Sequence, residues 1–160
     1  MNPDPPVPVL LDPEVDAVTA GGDLRPLHLR PRYLYVVFVG GVLGTLARWC
    51  AGELLGGGGS WPWATLLVNL VGAFCLGLLL EALLRRAPDR GWPRLARLHF
   101  GTGFLGSFTT MSALATEAVL LADRSQWWAA GGYLAVSLLG GVALAWCGVL
   151  LGSRLAEESA

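Results

Sequence analysis

The sequence predicts an all-α membrane protein with four transmembrane helices, the third broken near mid-membrane. Three observations carry this expectation. The chain of 160 residues is 54% hydrophobic and only 14% charged, whereas soluble domains carry about 25% charge. Four apolar stretches each exceed the roughly 20 helical residues that a hydrocarbon core of about 30 Å requires. One of these stretches contains "GFLGSFTTMSALATE", residues 103–117. Its glycines are flexible, and its serine and threonine hydroxyls compete for backbone hydrogen bonds, so it weakens a helix where a span should run.

The elements follow in order. Residues 1–32 hold seven of the ten prolines and start acidic. The longest apolar run there, "VPVLL", is too short and proline-broken for a signal peptide. A disordered tail is expected, with a short partner-binding segment as the alternative. The four-helix domain is expected over 33–155, with a short C-terminal tail at 156–160. Within it the spans read "YLYVVFVGGVLGTLARWCAGELL" (33–55), "WATLLVNLVGAFCLGLLLEALL" (63–84), a stretch from about His99 to Ala122, and "WWAAGGYLAVSLLGGVALAWCGVLLG" (127–152). Trp61, Trp63, Trp92, Trp127 and Trp128 fall near span ends, where an aromatic belt belongs. Glycine recurs in every span and permits close helix approach.

All eleven basic residues are arginine. Arg25, Arg30 and Arg32 precede the first span, Arg85, Arg86, Arg90, Arg94 and Arg97 lie between the second and third, and Arg154 follows the fourth. The opposite side has only Arg124, with Arg48 counted inside the first span. This bias predicts both termini in the cytoplasm of a multi-pass protein of the cell membrane. The arginines form no single basic face, so nucleic acid is not an expected partner. Cys50, Cys75 and Cys147 lie far apart in apolar runs and read as small buried hydrophobes. His28 and His99 fit no ligand pattern, and no nucleophile–base arrangement or phosphate loop is visible. Enzyme chemistry is not expected.

Polar groups inside a membrane need a protein partner or a watery cavity, so they mark candidate functional positions. Asn69 lies deep in the second span, four residues after Thr65 and on the same face. Its amide is either a helix–helix hydrogen bond or a donor facing a pore. Arg48, near the end of the first span, either snorkels to the interface or serves a site. Tyr133, Ser137 and Gly141 form one stripe on the fourth span, which alone reads as a packing face. A break within 103–117 would expose carbonyls to a cation and free N–H groups to an anion.

These residues resemble the Fluc (CrcB) fluoride channels over nearly all of residues 36–152. The likeness rests on "GGVLGTLARW", "ATLLVNLVGAFCLG" and "GFLGSFTTMSALATE", against family patterns of approximately GGxxGAxxRY, GTLxVNxxGSFxLG and GFxGGxTTFSTFSxE. The resemblance implies a passive fluoride channel that lowers cytoplasmic fluoride, built from two antiparallel four-helix subunits around a structural sodium ion (Na+). It implies that the Gly106 and Thr109 backbone carbonyls hold this ion. The implied fluoride pathway comprises Asn69, Thr110, Ser112, Tyr133 and Ser137, with Arg48, Thr65 and Glu117 as vestibule or structural polar residues. Two pathway phenylalanines of the family align with Met111 and Leu114, which lack the electropositive ring edge that meets an anion. Gly141 stands where a third hydroxyl of the fourth helix would be.

Two alternatives belong to other classes. A small proton-coupled multidrug exporter would need a carboxylate deep in the first span, and Glu53 sits only at its end. A non-conducting or partner-dependent subunit would explain Met111 and Leu114. The arginine bias argues for a second Fluc-type subunit of opposite topology, a heterodimer, over a homodimer.

Overall fold

The computed structural model describes residues 30–55, 61–86 and 91–157. Most of the expected tail (1–32) and the last three residues therefore lie outside the described residues. Cα packing separates Met1–Tyr35 from Val36–Ala160. Within the described residues the chain is all-helical, with four helices long and apolar enough to cross a membrane.

Helix α1 runs Pro31–Leu55 and α2 runs Trp63–Arg86. The first helix starts two residues earlier than expected because proline suits a first helical turn: its φ is preset and its missing N–H would have no partner there. The Arg30 carbonyl accepts from the Tyr33 and Leu34 N–H groups. Pro62 immediately precedes α2 and stands where Arg30 stands for α1, its carbonyl accepting from the Leu66 N–H.

The third span is composite and begins at Trp92, not near His99. Gly91 (φ 60°) allows the turn, Pro93 falls in the first turn, and α3 (Trp92–Ala96) leads without interruption into a π-helical segment, Arg97–Leu105. Arg94 and Arg97 are thus helical rather than linker. A single turn, α4 (Gly106–Phe108), follows. The helix then breaks at Thr109 and Thr110 and resumes as α5 (Met111–Asp123). A three-residue turn, Arg124 to Gln126, with Ser125 at φ 62°, leads to α6, Trp127–Glu157. There the Gln126 N–H reaches back to the Leu121 carbonyl at 3.0 Å, the six-to-one bond of a left-handed helix stop. Helix α6 runs two residues past the expected domain end at 155.

Close backbone approach sets the packing, as it must where lipid removes the hydrophobic drive between helices. Helix α1 meets the π segment through Gly40, Gly44 and Gly103. A Cβ on Gly44 would fall on the Phe104 carbonyl, and one on Gly103 would lie 2.6 Å from the Val37 carbonyl. Gly103 is therefore a contact residue and not the hinge its flexibility suggested. The His99 ring donates from Nδ1 to the Val36 carbonyl at 3.0 Å, tying the same two elements together. Helices α2 and α6 meet through Gly77 against Ala145 and Gly148 against Phe74. A cluster of Leu66, Leu114, Ala118, Leu121, Ala130 and Tyr133 joins α2, α5 and α6. Outside these seams large apolar side chains such as Phe38, Trp49, Leu139 and Trp128 stand exposed, as a lipid-facing surface requires.

Candidate functional site

The break is the centre of the site. Thr109 and Thr110 adopt extended backbone (φ −75°, ψ 160°; φ −153°, ψ 119°). In a continuous helix the Thr110 N–H would donate to the Gly106 carbonyl. It donates instead to Asn69 Oδ1 at 2.8 Å, while Asn69 Nδ2 donates to the Thr110 carbonyl at 3.0 Å. One amide from α2 thus bonds both the N–H and the carbonyl of Thr110. The Asn69 side chain is a helix–break clamp, and its second Nδ2 hydrogen stays outside that pair.

Each side of the break is capped locally. Upstream, the Thr109 N–H and hydroxyl both donate to the Leu105 carbonyl at 3.0 Å. Downstream, Thr110 Oγ1 accepts from the Ala113 N–H at 3.2 Å, an N-cap for α5, and lies 3.2 Å from the Ser112 hydroxyl. Arg48 reaches the break from α1, its Nη1 donating to the Thr109 carbonyl at 3.4 Å. The Arg48 head is held by protein rather than lying free at the interface. Arg48, Thr65, Thr110 and Ser112 line one cavity of about 320 Å³ with Gly52, Ala64, Val68 and Ala113. It combines a guanidinium, three hydroxyls and the N-terminus of α5, all of which favour an anion.

A second cluster lies one turn of α2 from Asn69. The Glu117 carboxylate accepts from Thr65 Oγ1 at 2.7 Å and from the Tyr133 hydroxyl at 2.6 Å, one donor on each oxygen. Three helices meet in this single group, with Tyr133 wholly buried. Ser137 is buried one turn further along α6, and Gly141 has open space where a side chain would stand. Of the two degenerate aromatic positions, Leu114 is 3% exposed in the core cluster and Met111 is 69% exposed at the start of α5. Gly106 is exposed on the turn before the break.

The structure thus brings Arg48, Asn69, Thr109, Thr110 and Ser112 to the break, and Thr65, Tyr133 and Glu117 to the carboxylate cluster. Two features escaped the sequence reading. Gly72 packs beneath the break, where a Cβ would run into the Thr109 methyl group. Extending the Thr65–Asn69 spacing by three residues would have found it. The π segment has no sequence signal.

The fold and site define a multi-pass membrane protein whose third span is interrupted by a polar, cavity-lined break. Residues 35–149 match the family described as CrcB-like protein, Camphor Resistance (CrcB), and the chain belongs to that family. It is 46% identical over 127 residues to the fluoride-specific ion channel FluC 1 of Cutibacterium acnes, covering 75% of this chain and 85% of that one. It is 45% identical over 116 residues to FluC of Bordetella petrii (72% and 88%) and 42% identical over 125 residues to FluC 2 of Moorella thermoacetica (77% and 98%). These relatives are named as ion channels, neither enzymes nor drug exporters.

Proposed function

We propose that the chain is a subunit of a fluoride-specific channel that lowers cytoplasmic fluoride by passive efflux. The break at Thr109–Thr110, clamped by Asn69, carries this reading. A small anion loses its water only where fixed donors replace it in a narrow path. The second Nδ2 hydrogen of Asn69 and the hydroxyls of Thr110, Ser112 and Ser137 are donors of this kind, while the Tyr133 hydroxyl, whose one proton goes to Glu117, borders the path. Arg48 and the α5 N-terminus draw anions into the cavity. Thr65 and Tyr133 fix the Glu117 side chain by donating one hydrogen bond to each of its oxygens. The relatives' names support fluoride as the ion.

Gly106 and Thr109 would supply backbone carbonyls to a structural sodium ion. The Gly106 carbonyl has lost its helical donor to Asn69, and the Thr109 carbonyl keeps a second lone pair beside Arg48. Backbone carbonyls are hard oxygen donors suited to such a cation. One chain offers two of them, so a second subunit would complete the shell. A cation there ties subunits together and raises the local positive potential for an anion. Gly106→Leu, which puts an isobutyl group on an exposed position otherwise free of close contacts, is expected to convert the dimer to monomer in detergent. Size-exclusion chromatography with light scattering checks this, and an unchanged dimer with unchanged transport refutes the site.

The second reading, a partner-dependent subunit, is favoured by Met111 and Leu114 and by the arginine distribution. An antiparallel pair of one chain needs a sequence that inserts both ways, and nine arginines against one oppose that. A related subunit of opposite bias would supply the antiparallel mate and its aromatic residues. Cysteine tags at both termini should therefore label from the cytoplasmic side alone. Liposomes carrying this chain with such a relative should release fluoride, measured by a fluoride electrode, faster than liposomes carrying it alone. Mixed orientation together with full efflux from the chain alone overturns the heterodimer. An absence of fluoride release in both preparations overturns the channel.

A further inference from the structure

Beside the Glu117 cluster two buried polar atoms have no hydrogen-bond partner among the described residues. The first is Ser137 Oγ, on a residue only 8% exposed and one turn from Tyr133 on the same face of α6. The second is the indole Nε1 of Trp61. The Trp61 ring meets the Tyr133 ring edge-to-face with centroids 5.8 Å apart, and it packs on the apolar cluster that includes Leu66, Leu121 and Ala130. Trp61 stands four residues before Thr65, whose hydroxyl holds Glu117. The two orphan donors therefore flank the Tyr133–Glu117 pair, Trp61 towards the N-terminus of α2 and Ser137 towards mid-helix.

A buried donor without an acceptor is destabilising, and native proteins rarely keep one without use. An indole N–H donates only and accepts nothing. It thus favours an anion and offers nothing to a cation. We propose that the Trp61 indole N–H is a fluoride donor on the conduction path, at the end nearest the start of α2, in line with Tyr133 and Ser137. The proposal rests on the channel reading above and extends it to a residue outside the broken span.

Trp61→Phe keeps an aromatic ring against Tyr133 and removes the N–H. In the assembly that conducts, fluoride efflux from liposomes should fall roughly tenfold, the loss of one hydrogen bond to a charged acceptor. Independently of any variant's folding, the native protein in detergent can be titrated with sodium fluoride, using sodium chloride as control. The indole ¹H–¹⁵N cross-peak that is missing from the variant's spectrum should move with fluoride and stay fixed with chloride. A cross-peak indifferent to fluoride overturns the proposal, as does efflux by the variant at the native rate. Native liposomes that conduct fluoride while the Trp61 cross-peak ignores it leave the channel standing and remove this residue from its path.

Discussion

Asn69→Leu is expected to abolish fluoride efflux and to lower thermal stability together. Interhelical hydrogen bonds in membranes average only about 0.6 kcal/mol, because the separated helices find other partners. The Asn69 bonds differ in kind. They satisfy the N–H and the carbonyl of Thr110, where the main chain is extended. Leucine leaves both groups of Thr110 without those partners, at about 1–3 kcal/mol each. The larger figure decides, and a loss of about 2–6 kcal/mol is expected for the two groups together. Efflux per reconstituted protein and a detergent melting curve check the two effects separately. A variant that melts and conducts as the native protein does would show that the break is held by something else.

Gly44→Val should have the largest structural effect. A Cβ at Gly44 meets the carbonyl, the carbonyl carbon and the Cα of Phe104. These are backbone atoms of the π segment, so no side-chain rotation relieves the overlap. Helix α1 and the third span must separate, which also breaks the His99–Val36 bond and moves Arg48 from Thr109. Little monodisperse protein should be recovered. Gly52→Ala, on the same helix but with nothing within 4 Å of the added carbon, should purify and melt as the native protein does. Size-exclusion profiles of the two variants make the comparison. Normal recovery of Gly44→Val would contradict the dovetailed packing.

The membrane class and the four spans were legible in the chain because length and hydropathy set them locally, and lipid leaves the backbone few alternatives to helix. The break was legible for a related reason: "GSFTTMS" gathers small and hydroxyl residues in an apolar run, and two of the hydroxyls do cap the flanking helices. The Thr65–Asn69 spacing put both on one face of α2, and both make contacts with the third span. The Tyr133–Ser137 stripe, ambiguous between packing and path, holds a hydroxyl bound to Glu117 and a hydroxyl with no partner among the described residues.

What the sequence determined by itself was the sum of local effects: the four spans and the weak point in the third. Tertiary structure alone decided which groups meet. Asn69 and Thr110 are 41 residues apart in sequence, and Thr65 and Glu117 are 52 apart, so no local rule pairs them. Gly103 reads as a hinge in isolation and becomes a seam residue only once α1 lies against it. The π segment likewise answers to contact: it aligns Gly103 with α1 while Gly101 faces Leu76 and Leu79 of α2. The physical reason is common to all three. Periodicity fixes the face of a helix on which a residue lies, and only packing fixes what stands opposite that face.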